Sequence, residues 1–353
     1  MVMKILSIVG ARPQFIKAAM LSKALRSHCQ EVILHTGQHY DPNMSGVFFE
    51  ELDMPRIDIN LNVGSGSHGK QTGKMMVGIE QVIEANHPDW VLVYGDTNST
   101  LAAALTAAKS NIPLAHVEAG LRSYNRAMPE EINRVVCDML SSLLFCPTQV
   151  AVENLSREGI NSGVHVVGDI MADALFHFLP VALARPSILK KYDLKKDGYA
   201  LATIHRAANT DDPERLSAIM AAFKEIKSPI LLPLHPRTKS VIDRLQIGFP
   251  ANVLVVEPVG YLDMLLMEHH ASCILTDSGG IQKEAYWLGV RCITLREETE
   301  WVETVECGWN QLAGTDTQRI IKLFQNWHPD HDRPAFYGDG HTAERIVAIL
   351  CPD

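Results

Sequence analysis

Short apolar runs alternate with longer segments of helical periodicity along the whole chain. In the first half, residues 4–9, 31–36, 90–94, 114–118 and 143–147 read as buried strands. Helical patterns over 14–27, 73–86 and 99–110 lie between them. In the second half the strand candidates are 199–203, 230–234, 253–256, 273–276 and 291–295. Continuous apolar strands separated by helices predict parallel sheets covered on both faces, an α/β fold. The halves also echo each other. Residues 88–118 run strand, Gly95-Asp96-Thr97-Asn98-Ser99-Thr100, helix, Asn111-Ile112-Pro113, strand. Residues 271–295 run strand, Asp277-Ser278-Gly279-Gly280, helix, Leu288-Gly289-Val290, strand. Two doubly wound halves facing each other across a cleft are expected, with ligands at the carboxyl ends of the strands. Domains 1–170 and 171–353 follow, with 169–196 as the linker. A tail from about 334, helical over 342–350, is free to return to the first domain.

Composition removes several classes. The 353 residues suggest two domains, and 46% apolar with 21% charged residues is a soluble globular profile. A net charge of −9 argues against nucleic acid or an anionic membrane as the main partner. No apolar run approaches the ~18–20 residues of a membrane span. The first strand opens at Lys4, which leaves no room for a signal peptide, so a cytoplasmic location is expected. Seven Cys without CxxC spacing read as buried free thiols. The fifteen His show no HExxH and no paired Cys/His spacing, and His269-His270 are adjacent, so no metal site is expected. GxSxG is absent too, which weakens a serine hydrolase reading.

The strongest chemical signal is Leu275-Thr276-Asp277-Ser278-Gly279-Gly280-Ile281-Gln282-Lys283-Glu284-Ala285. A strand, a small-residue turn and a helix start leave unpaired backbone N–H groups beside the positive end of the helix dipole, a phosphate-binding geometry. Ser278 adds a hydroxyl, and Gly279 and Gly280 admit close approach. Glu284, one helical turn on, is placed to accept from a ribose hydroxyl. The plain alternatives are an ordinary strand-to-helix turn and a solvated Glu.

Other strand ends carry further candidates. Gly10-Ala11-Arg12-Pro13-Gln14-Phe15-Ile16-Lys17 is not GxGxxG, so no classical NAD site is signalled. Arg12 and Lys17 flank a helix start, where positive charge is disfavoured without an anion. Asp96, Glu118, Glu130 and Glu131 cluster near predicted strand ends. Each alone could be a cap or a solvated residue, which is the default for Glu131. Gathered at one sheet edge, three acids would suit proton transfer. His205-Arg206 and His235-Pro236-Arg237 end strands in the second half, and His205 with Arg206 suits a leaving diphosphate.

Taken in order, Gly10-Ala11-Arg12-Pro13, Tyr94-Gly95-Asp96-Thr97, His116-Val117-Glu118-Ala119-Gly120-Leu121-Arg122, Pro129-Glu130-Glu131-Ile132-Asn133-Arg134, His205-Arg206 and Asp277–Glu284 resemble the non-hydrolysing UDP-N-acetylglucosamine 2-epimerase family. The resemblance spans 4 to about 350. It implies a GT-B-type fold: two Rossmann-like domains with the UDP-sugar in the cleft. It implies cytoplasmic homodimers that supply surface polysaccharide precursors and need no added cofactor. It also implies inversion at C2 by elimination of UDP to a 2-acetamidoglucal and re-addition. Carried over by motif, Asp96, Glu118 and Glu130 are acid/base candidates and His205 assists. Arg12, Ser278, Gly279 and Gly280 would hold the diphosphate, and Glu284 the ribose. Lys17, Arg134, Arg206, His235 and Arg296 are further binding candidates. Three departures stand out. Gln14-Phe15 replaces the commoner Glu-Ala, and Trp301 stands where many members have Arg. The 60–73 stretch looks more like a branch acting on UDP-2,3-diacetamido-2,3-dideoxyglucuronate. Gln38-His39 resembles part of the family's allosteric site, but no matching basic partners are evident. A GT-B glycosyltransferase, a hydrolysing epimerase and a non-catalytic UDP-sugar sensor are the competing classes.

Overall fold

A computed structural model describes residues 2–38, 54–185, 188–234 and 236–352, without the side chains of Arg12, Pro236 and Arg237. The chain forms two compact units. The first takes Met1–Phe176 and Ala335–Asp353; the second is His177–Pro334.

In the first unit, β1 (Lys4–Val9), β2 (Gln30–His35), β3 (Ile59–Asn60), β4 (Trp90–Tyr94), β5 (Leu114–Val117), β6 (Leu143–Cys146) and β7 (Val164–Val166) form one parallel sheet. Its order is β3-β2-β1-β4-β5-β6-β7. The direction of winding reverses between β1 and β4, which places the loops after these strands at a topological switch point. Apolar side chains of β1 and β4 pack with Met75, Ile79 and Ala103 from the covering helices.

The helix expected over 73–86 begins earlier, at His68, and runs His68–Asn86. Gly69 and Gly73 in its first turns suggest a loop by propensity. Tertiary contacts override them: Gln71 donates to the Gly64 carbonyl at 2.8 Å and accepts from Asn98 Nδ2 at 2.8 Å. The segment 335–352 packs helix Thr342–Leu350 against helix Arg12–Leu25. Asp173 anchors it by accepting from the Ala343 N–H at 2.8 Å.

The second unit holds β8 (Ala200–Thr203), β9 (Ile230–Pro233), β10 (Val253–Val256), β11 (Cys273–Thr276), β12 (Cys292–Thr294) and β13 (Asn310–Leu312). The order β10-β9-β8-β11-β12-β13, all parallel, is again Rossmann winding, with its switch between β8 and β11. Alternation along β8 feeds two cores: Ala200 and Ala202 join Leu232 and Phe223 on one face, while Leu201 joins Leu231 and Met267 on the other. Among the described residues no helix is long and apolar enough to cross a membrane.

Candidate active site

The first unit brings its candidates to the ends of β1, β4 and β5. The loop after β1 presses on the helix Asn98–Lys109. A Cβ on Gly10 would lie 2.0 Å from Ser99 Oγ, so only glycine fits. Gln14 is buried and ties this loop to β4. Its carbonyl oxygen accepts from Gly10 N at 2.8 Å and Ala11 N at 3.0 Å. Its amide nitrogen donates to the Tyr94 carbonyl at 2.7 Å and to Thr100 Oγ1 at 3.1 Å. A carboxylate at this position would have no proton for Tyr94, which gives the Gln its purpose. Arg12 opens the helix Arg12–Leu25, but its side chain lies outside the described residues.

Lys17, from that helix, forms an ion pair with Glu118, and both side chains are about nine-tenths buried. Glu118 has φ 72°, in the left-handed region that side-chain-bearing residues seldom enter. Strain of this kind collects at functional sites. The backbone around it is fixed: the N–H groups of Glu118 and Ala119 both donate to the Phe145 carbonyl at 3.1 Å. Gly120 N donates to Asp138 at 3.1 Å. Gly95 packs against the pair; a Cβ there would sit 3.2 Å from Glu118 Oε2 and 3.3 Å from Lys17 Nζ.

Asp96 follows Gly95 and is about one-third exposed, with Arg134 Nη2 at 3.6 Å. Asn133 donates to the Asp96 carbonyl at 2.8 Å. Arg134 also lies 3.2 Å from Glu131, so it stands between two carboxylates of the first unit. The adjacent acids on helix Pro129–Leu140 differ sharply. Glu131 is buried and accepts from Ser123 N, Ser123 Oγ and Tyr124 N, each at 2.9 Å. It is a loop clamp. Glu130, at the helix start, is half-buried.

The second unit assembles its candidates at the ends of β8 and β11. Asp277 is fully buried and organises them. It accepts from His205 N at 3.1 Å, Arg206 N at 3.1 Å and Asn209 Nδ2 at 3.1 Å. His205 keeps a half-exposed ring, with Nδ1 3.4 Å from Asp277 Oδ1. Ser278 caps the helix Gly279–Leu288 by accepting from Ile281 N, so the helix start and its dipole face the turn. Trp301 leans over this start: a Cβ on Gly279 would lie 3.2 Å from its Nε1. Lys283 is buried with its ammonium 3.9 Å from the Trp301 ring centroid, a cation–π contact beneath the phosphate-type turn.

Glu284 is buried on the same helix. Glu268, from the neighbouring helix Tyr261–His269, is fully buried too, and burial together with the Glu284 charge pushes its carboxyl well up. Arg296 forms a two-pronged pair with Glu300 at 3.0 and 3.1 Å, so it is a shielded cation rather than an open one. His235 and His39 lie outside the described residues. Among the described residues no three His, Cys, Asp or Glu side chains converge as a metal site.

In the sequence, Asp138 carries no signal, Gln14 stands out only as a departure from the family pattern, Glu131 reads by default as a cap or solvated residue, and Asp277 shows only as the residue opening the Ser-Gly-Gly turn.

Comparison with known proteins identifies the family. Residues 23–351 fit the family model described as UDP-N-acetylglucosamine 2-epimerase. A UDP-N-acetylglucosamine 2-epimerase homolog of Methanococcus maripaludis is 50% identical, with 99% of each chain covered. The UDP-2,3-diacetamido-2,3-dideoxy-D-glucuronate 2-epimerase of Pseudomonas aeruginosa is 48% identical, again over 99% of each chain. The crystal structure of Methanocaldococcus jannaschii UDP-GlcNAc 2-epimerase in complex with UDP-GlcNAc and UDP superposes with TM-score 0.93 at 45% identity, covering 99% of each chain. With its two Rossmann-wound units and this motif set, the chain belongs to the UDP-N-acetylglucosamine 2-epimerase family.

Proposed function

We propose that this chain interconverts UDP-N-acetylglucosamine and UDP-N-acetylmannosamine without hydrolysis. The carrying observation is Glu118, held at φ 72° against Lys17 beside Asp96, in a chain that also presents a phosphate-type helix start. The C2–H of the sugar is not next to a carbonyl, so direct deprotonation is too costly. Elimination avoids this. A carboxylate takes the C2 proton, the C1–O bond breaks with its electron pair leaving on UDP, and a 2-acetamidoglucal remains. UDP then adds back at C1 as a proton enters C2 from the other face. Asp96, Glu118 and Glu130 are the acid/base groups. Ser278, Gly279, Gly280 and Arg12 take the diphosphate, with Arg206 and His205 neutralising it as it leaves. Glu284 binds the ribose.

We further infer a cytoplasmic homodimer acting in precursor supply for surface polysaccharide. Helix Pro129–Leu140 supports pairing, because it exposes Ile132 and Met139 one above the other, 50% and 61% accessible. Light scattering after size exclusion should give twice the monomer mass.

The 48% identity to the Pseudomonas enzyme favours one second reading, epimerisation of UDP-2,3-diacetamido-2,3-dideoxyglucuronate. Incubation with each UDP-sugar in D₂O, followed by NMR, decides between them. Deuterium at an inverted C2 identifies the substrate. Binding with no exchange on either sugar would sink the epimerase reading.

A further inference from the structure

His116 lies on β5, two residues before Glu118, and is completely buried. Both ring nitrogens meet acceptors: Nδ1 is 2.7 Å from Asp138 Oδ1, and Nε2 is 2.8 Å from the Gly95 carbonyl. A carbonyl oxygen cannot donate. Asp138 accepts in addition from Arg122 Nη1 at 2.7 Å and Gly120 N at 3.1 Å, and the adjacent guanidinium keeps it ionised. Neutral imidazole has one N–H, and one of the two short contacts would then set acceptor against acceptor. The ring therefore carries both protons.

The surrounding charges agree. Cys137 and Asp138 face the ring from helix Pro129–Leu140, and Arg122 stands behind Asp138. Glu158, after the helix Gln149–Arg157, takes Arg122 Nε at 2.8 Å and Nη2 at 2.6 Å. Beyond Gly95 lies the Lys17–Glu118 pair. Plus and minus alternate through His116, Asp138, Arg122 and Glu158, leaving the quartet neutral. Burial opposes a charged imidazole, but the Asp138 carboxylate at 2.7 Å outweighs it and holds the ring protonated well above the usual histidine range.

Burying three of these charges, with Glu158 at the surface, is a poor route to stability alone. Their geometric effect is at Gly95, whose φ of 60° turns the chain into Asp96 and whose missing Cβ makes room for Glu118 and Lys17. We propose that His116 is a positioning residue, a permanent imidazolium that clamps the Gly95 carbonyl and so fixes Asp96 and Glu118 for proton transfer. The proposal rests on reading Asp96 and Glu118 as the acid/base groups. Rotation of the Gly95 peptide would swing Asp96 and drive the backbone towards the Lys17–Glu118 pair.

Two measurements test it. Long-range ¹H–¹⁵N correlation on the labelled protein should show both His116 nitrogens protonated and unchanging from pH 6 to 9. A neutral tautomer or a mid-range titration would overturn the permanent charge, and this readout needs no variant. His116→Gln, which is neutral, should lower kcat for deuterium incorporation at C2 by about tenfold or more while KM and UDP affinity stay within about twofold, the scale of one charged hydrogen bond. Asp138→Asn should lower kcat likewise and let the His116 ring titrate. A normal kcat in folded His116→Gln would make the quartet purely structural. A wild-type protein that exchanges no C2 proton on any UDP-sugar would instead defeat the epimerase reading, with the imidazole spectrum unaffected.

Discussion

Lys17 and Glu118 meet as an ion pair over the open side of Gly95, from positions 101 residues apart. The pair gives Glu118 a fixed cation at the strand ends where Asp96 also lies. Removing one partner of a buried pair leaves the other charge desolvated and less well compensated. Lys17→Met should therefore cost on the order of 3 kcal/mol in chemical denaturation, and Glu118→Gln added to it should recover much of that loss. Additive costs in the double-mutant cycle would show that the two side chains do not act together.

Catalysis should respond to the same loop. Glu118→Gln and Asp96→Asn should each cut turnover by at least ~10²-fold, the usual scale of acid/base work. UDP affinity should change little, because the proposed phosphate turn belongs to the other unit. Near-normal rates in both variants would take these carboxylates out of proton transfer.

The nucleotide turn predicts a different pattern. Glu284→Ala and Ser278→Ala should weaken UDP binding by calorimetry, with Glu284 the larger effect, since charge-assisted hydrogen bonds are the stronger ones. Trp301 should report the event. Its indole stands 3.2 Å from where a Gly279 Cβ would be, so UDP should change the tryptophan emission in wild type and leave Trp301→Phe nearly silent. An equal emission change in Trp301→Phe would place the phosphates away from this helix start.

The His116–Asp138 pair makes stability depend on pH in a defined sense. The His116 pKa is raised in the fold, so its contribution is complete below the unfolded value of ~6.5 and is lost as pH rises through the folded one. Asp138 is lowered: burial opposes this, and His116 and Arg122 overcome it. Its contribution is complete above the unfolded value of ~3.9 and is lost as pH falls through the folded one. Between those unfolded values both act in full. Thermal melts of His116→Gln against wild type should show the largest gap there, narrowing at high pH. A gap that widens towards alkaline pH would contradict the assignment.

Glu268 offers a change in the opposite direction. Neither of its buried oxygens has a hydrogen-bond partner among the described residues, and its carboxyl is pushed well up by burial and by Glu284. Its folded form holds its proton, so ionisation works against the fold once pH passes the unfolded value of ~4.3. Glu268→Met should stabilise the protein at pH 8 by about 1–3 kcal/mol in urea denaturation. A loss of stability would mean that this carboxyl has a partner in solution.

How much of this was legible in the chain depends on the range of the physics. The apolar runs of β1, β4 and β11 and the Ser278-Gly279-Gly280 turn are local signals, readable from a few neighbouring residues. The edge strands β3 and β7, two and three residues long, carry too short a pattern to be seen. The parts played by Gln14, Asp138 and Asp277 come from partners 80, 22 and 72 residues away, which no local window contains. Glu130 and Glu131 are equivalent as letters. Only the position of the Ser123–Tyr124 turn separates a clamped carboxylate from a half-buried one.

The return of residues 335–352 to the first unit sets an order of events during synthesis. The second unit is continuous, and all of it leaves the ribosome before the helix Thr342–Leu350 can reach its seat on the helix Arg12–Leu25. The nascent first unit must wait with the Asp173 carboxylate unserved and the apolar seat for Ile346, Val347 and Leu350 open to water. Docking of this helix therefore follows completion of the second unit, and a chain cut short near residue 334 would keep the second unit whole and leave the first vulnerable to proteolysis.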